Sequence, residues 1–204
     1  MTSWPALESD PEIFTNYFRN LGLNSSWEFG EIFTMDEEVE GSALVLVYRS
    51  LTADPVFNGQ VIEAQYYIKQ VEALDNACGL LAGLHSILNS DAEILEGSIL
   101  HQLKLSIEGK SPIEAAQWLL SNDSLQNAHH AYAAEGQSEM TNSPDHHFIA
   151  ILPKLKLFDG MKQSPIGLGT QEGFALNFFT ILNQAIENGS IGADISLMVL
   201  RRNL

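Results

Sequence analysis

The segment that decides the fold of this chain is Asn76-Ala77-Cys78-Gly79-Leu80-Leu81-Ala82-Gly83-Leu84-His85, which contains the only cysteine. Apolar residues recur within and beyond it at the three-and-four spacing of a helix with one buried face. Asp75 and Asn76 precede the apolar run, and both are natural N-cap residues. We therefore expect a helix that begins at the cysteine and is capped by Asp75 or Asn76.

The position of Cys78 indicates a nucleophile. A thiol in the first turn lies at the positive end of the helix dipole, which favours the thiolate, the form that attacks carbonyl groups. Gly79 and Gly83 lack side chains, so other backbone could approach this helix closely. The alternative is that a lone cysteine is a small buried hydrophobic residue. Residues later in the chain help to decide whether Cys78 is a nucleophile or a buried hydrophobic residue.

Length and composition limit the classes of protein that fit. The 204 residues are 45% hydrophobic, enough for a sizeable core, and we treat residues 1–204 as one domain. A single cysteine excludes internal disulfides and fits a reducing compartment, so we expect the cytoplasm, with the nucleus as a further location. We see no secretory signal and no apolar run near the roughly 20 residues that cross a membrane.

The charge of the chain limits its partners. A formal net charge of −16 argues against nucleic acid, whose phosphates would be repelled. The same charge favours basic partners through long-range attraction, although solubility alone is an alternative explanation.

Periodicity and turn residues predict a mixed chain of the α/β or α+β class. One predicted helix starts at Pro11 after a Ser9 or Asp10 cap and ends at Gly22. The apolar run at 42–48 predicts a strand buried on both faces. The other predicted elements are strands at 27–33, 61–69, 147–152, 155–158 and 195–200, helices at 98–107, 112–121 and 174–186, and a long exposed loop at 128–145.

Three residues in the order Cys78, His147 and Asp159 fit nucleophilic catalysis. An imidazole takes the proton of the thiol, and a carboxylate fixes the tautomer of that imidazole. His147 begins one strand of the predicted hairpin, and Asp159 follows the other. A turn centred on Pro153 would place them directly opposite each other on one face, whereas a two-residue turn would place them on opposite faces.

Other polar residues carry weaker signals. Gln70 could donate its side-chain amide to a developing oxyanion, together with the backbone N–H of Cys78. His129-His130 and His146-His147 lack nearby Cys or carboxylate groups at metal-ligand spacing, so we expect no metal. No glycine-rich phosphate loop follows a strand, and we expect no cofactor.

Five segments in the correct order resemble the ubiquitin C-terminal hydrolases, a family of papain-like cysteine peptidases. The resemblance covers nearly the whole chain. The segments are 4–12 with 21–23, Lys69-Gln70, 76–79 with 84–86, 128–129 with 134–137, and 147–150 with 157–160.

The resemblance implies a fold and an activity. It implies a six-stranded antiparallel sheet flanked by helices on both sides. It also implies a monomeric deubiquitinase that cleaves after the C-terminal glycine of ubiquitin and releases small or unstructured groups. Cys78 would attack, His147 would be general base and acid, Asp159 would orient it, and Gln70 would stabilise the oxyanion. The basic tail of ubiquitin would suit the acidic chain.

The resemblance also implies contacts with the substrate. A crossover loop at about 138–145 would filter leaving groups by size. The residues expected to contact substrate are Leu7, Glu8, Asp10, Pro11, Asn76, Ser138, Glu139 and Met140.

The chain departs from the family pattern at two spacings. Two extra residues lie between Gln70 and Cys78, and the hairpin between His147 and Asp159 is about three residues shorter. Met161 stands where the family often has arginine, and a His-Gly pair is missing near Gly169. Two alternatives therefore remain, a ubiquitin-like-protein binder with weak activity and a hydrolase for another ubiquitin-like modifier.

Overall fold

The computed structural model describes residues 4–36, 38–135, 146–169 and 174–203. Six α-helices lie in these ranges: α1 (Pro11–Leu21), α2 (Cys78–Leu88), α3 (Ile99–Ile107), α4 (Pro112–Leu120), α5 (Asp123–Ala133) and α6 (Ala175–Glu187). A short 3₁₀ helix covers Glu72–Leu74. The strands are β1 (Trp27–Glu31), β2 (Ala43–Tyr48), β3 (Gln60–Val61), β4 (His147–Leu152), β5 (Lys156–Phe158), β6 (Ile166–Gly167) and β7 (Ser196–Arg202).

One antiparallel sheet organises the molecule, in the order β1-β7-β2-β4-β5-β6-β3. Within the described ranges the sheet has seven strands where six were expected. The two shortest strands, β3 and β6, pair only two residues each, at the same edge of the sheet. The mixed α/β class is confirmed, and helices lie on both faces of the sheet. One hydrophobic core contains residues of α1 to α5, and the other contains residues of α6.

Local sequence signals placed several elements correctly. Asp10 caps α1 by accepting a hydrogen bond from the Ile13 N–H at 2.9 Å, and Gly22 ends that helix in the left-handed region. Ser111 and Glu114 form a reciprocal capping box at α4. All six residues of β2 are buried, as the continuous apolar run predicts.

Helix α2 differs from its prediction in two ways. All of its residues are buried, so it has no exposed face. Its N-cap is Ala77, which makes no side-chain hydrogen bond, and the predicted caps Asp75 and Asn76 are wrong. The reason is the 3₁₀ turn that leads into the helix, where the Ala77 N–H donates to the Leu74 carbonyl at 3.0 Å.

The close approaches at the glycines of α2 come from side chains instead of backbone. A Cβ at Gly83 would lie 2.1 Å from the Phe18 ring, and one at Gly79 would lie 3.3 Å from the Leu7 Cβ.

The predicted strand at 61–69 is wrong beyond Val61. Side chains of α2 and its C-cap residue satisfy the backbone of this segment. Asn89 accepts from the Tyr66 N–H at 3.2 Å and donates to the Tyr66 carbonyl at 2.8 Å. The Ile68 N–H donates to His85 Nε2 at 3.0 Å. Because these backbone groups already have partners, the segment follows the helix instead of joining the sheet.

The predicted loop at 128–145 is wrong in its first part. Residues 128–133 belong to α5, whose buried face includes Leu125, His129 and Ala133 at intervals of four. This spacing was missed because His129 was treated as a polar, exposed residue. The rest of the predicted loop from 136 onward lies outside the described residues.

His129 fixes the N-terminal segment to the core. It is fully buried, its Nε2–H donates to the Pro5 carbonyl at 2.7 Å, and its Nδ1 accepts from the Tyr17 hydroxyl at 3.1 Å. The Trp4 ring lies 5.0 Å from the His129 ring. One residue of α5 therefore holds both α1 and the chain that precedes it.

We expect His129→Gln to lower the free energy of unfolding by about 1–3 kcal/mol at pH 7, because buried polar partners lose their hydrogen bonds. Burial lowers the pKa of His129 from 6.5 to about 4, so the unfolded chain takes up a proton that the folded chain excludes. The contribution of His129 to stability is therefore present above about pH 6.5 and is lost as the pH falls toward 4.

Urea unfolding at pH 7 and pH 5 measures this effect. The difference in free energy of unfolding between wild type and His129→Gln should be smaller at pH 5 than at pH 7. A gap that widens would contradict the assignment, and the exposed neighbour variant His130→Gln is the matched control.

Candidate active site

Cys78 lies at the N-terminal end of the buried helix. Its thiol is free, and the residue is 6% exposed. Since the first N–H groups of a helix have no intrahelical acceptor, the backbone of Cys78 has a donor for a nearby oxyanion. The helix dipole adds a positive potential at the same place.

His147 connects Cys78 with Asp159. Its Nε2 lies 2.8 Å from Asp159 Oδ1, and the Cys78 side chain is near enough to help raise the pKa of the imidazole. The side chains of His147 and Asp159 are 19% and 11% exposed. The structure therefore brings the three sequence-predicted residues together, with the imidazole between thiol and carboxylate.

The hairpin register differs by two residues from the predicted one. Ala150 pairs with Phe158 and Leu152 pairs with Lys156, so the turn centres on Lys154 and not on Pro153. Lys154 and Leu155 both adopt positive φ, which accommodates the longer turn. His147 is therefore diagonal to Asp159 instead of directly opposite. An even shift keeps both residues on the same side, and a diagonal neighbour is still within reach of an imidazole.

The charges of this pair favour an ion pair. Burial lowers the pKa of His147, but the hydrogen bond to Asp159 and the interactions with the Asp159 and Cys78 side chains outweigh it and raise the pKa from 6.5 to about 9. Burial raises the pKa of Asp159, yet the hydrogen bond and charge of His147 hold it below its ordinary value. At neutral pH the imidazole is therefore protonated in the resting site and the carboxylate is ionised.

Two residues that the sequence analysis did not single out hold the turn after Asp159. The Tyr67 hydroxyl lies 2.5 Å from the Asp159 carbonyl and 2.8 Å from the Lys162 carbonyl. Lys69 Nζ donates to the Met161 carbonyl at 2.5 Å and to the Lys162 carbonyl at 3.1 Å. The Met161 N–H then donates to Asp159 Oδ1 at 2.9 Å. The alternation of Tyr67 and Lys69 was the available signal, since residues two apart in an extended chain share a face.

Gln70 lies in the same segment, with its side chain engaged by backbone. Its Nε2 donates to the Asp75 carbonyl at 2.7 Å and to the Leu74 carbonyl at 3.3 Å. Its Oε1 is buried and has no hydrogen-bond partner in the part of the chain that the structure describes. The carbonyls of the turn before Cys78 thus take the amide, and oxyanion stabilisation by Gln70 stays a prediction.

The expected substrate contacts lie in two regions. Leu7 is 4% exposed and packs against α2, whereas Glu8, Asp10 and Pro11 are partly exposed. Asn76 is partly buried, two residues before the cysteine. The other three expected contacts, Ser138, Glu139 and Met140, lie outside the described residues.

Within the described ranges, no group of three or more His, Cys, Asp or Glu side chains is arranged to hold a metal ion. No helix among the described residues is long and apolar enough to cross a membrane.

Comparison with known families decides the class of this site. The model of "Ubiquitin carboxyl-terminal hydrolase, family 1" matches residues 4–187. The chain belongs to this family. It is therefore a cysteine-dependent ubiquitin hydrolase, and the family expected from the five sequence segments is confirmed.

Relatives and solved structures agree with the family match. A ubiquitin carboxyl-terminal hydrolase of Aplysia californica is 30% identical over 190 residues, covering 82% of this chain and 86% of the relative. The human isozyme L1 is 28% identical over 160 residues, covering 70% and 71%. The Trichinella spiralis UCH37 catalytic domain, solved with ubiquitin vinyl methyl ester, superposes with a TM-score of 0.80 at 21% identity, covering 100% of this chain and 97% of that one. This likeness confirms the fold.

We expect Asp159→Asn to move the pKa of His147 from about 9 toward 6.5, because the hydrogen bond to Asp159 and its negative charge both favour the imidazolium. NMR titration of the His147 ring measures the shift. Asp194→Asn, which removes the exposed partner of His146, is the matched control. An unchanged His147 titration would contradict the proposed electrostatics.

Proposed function

We propose that Cys78, His147 and Asp159 carry out the hydrolysis of ubiquitin C-terminal conjugates. The observation that supports this most is the 2.8 Å contact of His147 Nε2 with Asp159 Oδ1, on an imidazole whose pKa is also raised by the Cys78 side chain. This leaves one ring nitrogen for the carboxylate and the other for the thiol, which is the division of roles that a cysteine peptidase needs.

The proposed reaction has two halves. The Cys78 thiolate attacks the carbonyl carbon of the C-terminal glycine of ubiquitin, and the imidazolium of His147 gives its proton to the departing amine. A thioester joins ubiquitin to the enzyme. Neutral His147 then takes a proton from water, the resulting hydroxide attacks the thioester, and the thiolate leaves. Asp159 holds the ring in one orientation throughout.

Stabilisation of the oxyanion is assigned to the Cys78 N–H and to Gln70. The Gln70 amide has two hydrogens, and its bond to the Asp75 carbonyl at 2.7 Å is shorter than its bond to Leu74 at 3.3 Å. We infer that one Gln70 amide hydrogen stays bonded to the Asp75 carbonyl. The other leaves the Leu74 carbonyl and bonds the oxyanion. Such a donor acts most strongly when charge develops on the oxygen.

Substrate selection belongs to the same proposal. The partly exposed residues Glu8, Asp10 and Pro11 would contact ubiquitin. Residues 138–145 would limit the size of the leaving group. The net charge of −16 supports attraction of basic surfaces and argues against nucleic acid, and the lone cysteine supports a reducing compartment such as the cytoplasm. We also propose that the protein is a monomer.

Release of a fluorescent amide from the C-terminus of ubiquitin tests the function. Wild type should turn over, and Cys78→Ala should not, because no other described thiol is present. Cys78→Ala should still bind ubiquitin, which separates lost chemistry from lost folding. Parallel substrates made from other ubiquitin-like modifiers identify the preferred partner. Turnover by Cys78→Ala would overturn the choice of nucleophile.

Gln70→Ala tests the oxyanion assignment separately. We expect kcat to fall by about a hundredfold with little change in KM, since this donor acts mainly in the transition state. Gln65→Ala is the matched control, because Gln65 is an exposed glutamine in the same segment. Equal kcat values for the two variants would show that Gln70 does not stabilise the oxyanion.

A further inference from the structure

Asp75 forms hydrogen bonds in three directions, three residues before the nucleophile. Its Oδ1 accepts from the Trp4 N–H at 3.0 Å and from the Asn76 N–H at 2.9 Å. Its backbone carbonyl accepts from Gln70 Nε2 at 2.7 Å. One residue therefore contacts the N-terminal segment, the turn before Cys78 and the glutamine assigned to the oxyanion.

The contact with Trp4 joins Asp75 to a rigid part of the molecule. Trp4 is 2% exposed, and the next residue is held by the bond from buried His129 to the Pro5 carbonyl. Leu7 then packs against α2 near Gly79. Because this segment is fixed on the core at several points, its Trp4 N–H is a fixed donor for the Asp75 carboxylate.

The other two contacts lie on the catalytic side. The Asn76 N–H belongs to the peptide that follows Asp75, so its bond to Oδ1 restricts the backbone shortly before Cys78. The bond from Gln70 to the Asp75 carbonyl fixes one hydrogen of the side-chain amide. Asp75 is the C-cap residue of the 3₁₀ helix Glu72–Leu74. The orientation of its carbonyl therefore depends on the turn that follows this helix.

We propose that Asp75 is a positioning residue for hydrolysis. Its carboxylate uses the fixed N-terminal segment to set the turn that presents the Cys78 N–H and the Gln70 amide to the oxyanion. The longer spacing between Gln70 and Cys78 creates the need for it, because a longer turn has more backbone freedom to restrict. This inference rests on the proposed function, in which both donors stabilise the oxyanion.

The comparison of Asp75→Ala with Asp75→Asn tests the inference. Asparagine keeps an acceptor oxygen for the Trp4 and Asn76 N–H groups, whereas alanine removes it. We expect Asp75→Ala to lower kcat on the fluorescent ubiquitin substrate by roughly tenfold to a hundredfold, since a displacement of about 1 Å has effects of this size. KM should change little, and Asp75→Asn should keep most of the activity.

Further variants separate positioning from charge and from folding. Glu72→Ala removes an equal charge from an exposed position in the same turn and should leave kcat unchanged. Asp75→Leu keeps a side chain branched at Cγ, as in asparagine, without its acceptor, so it repeats the comparison if the alanine variant unfolds. In a Gln70→Ala background, Asp75→Ala should have a smaller effect than in wild type, because the two residues act on the same oxyanion.

Each outcome has a defined meaning. An inactive wild type would overturn the proposed function itself. An active wild type with unchanged Asp75→Ala and Asp75→Leu would overturn only the positioning role. Equal losses in Asp75→Asn and Asp75→Ala, or in Glu72→Ala, would also overturn it, since charge would then be the cause.

Discussion

Complete burial of helix α2 is the constraint on which the rest of this structure depends. All residues from Cys78 to Leu88 are buried, so the helix has no face that water can solvate. The sheet, α1 and the irregular segment before Gln70 must together cover it. Its first turn is the one place where the helix meets the catalytic side chains, and the thiol lies there. The buried glycine Gly83 leaves room for the Phe18 ring, which brings α1 close.

The irregular segment before Gln70 is as important as helix α2 for positioning the residues of the site. Asn89 and His85 provide partners for its backbone, so it is held along the helix without joining the sheet. From that position Tyr67 and Lys69 hold the turn after Asp159, and the Gln70 N–H donates to the Gly160 carbonyl at 2.8 Å. The carboxylate that orients His147 is therefore supported by residues about 90 positions earlier in the chain.

Local signals were the reliable part of the sequence. The cap of α1 depends on residues within four positions of each other, and Asp10 was one of its two predicted caps. Predictions failed where the hydrogen-bond partners came from distant parts of the chain instead of from neighbouring residues. Residues 66–68 look like a strand, but α2 provides their hydrogen-bond partners. His129 looks like a polar loop residue, but Pro5 and Tyr17 give it buried partners that make it part of the core.

The sequence by itself determined the family, the mixed fold class and the three residue types that meet at the site, because these depend on residue identity, order and local periodicity. Only the tertiary structure decided the hairpin register, the engaged state of the Gln70 amide and the position of Asp75 between the N-terminal segment and the nucleophile. Each of these depends on hydrogen bonds whose partners are set by packing in three dimensions. Spacing along the chain does not specify which donor reaches which acceptor.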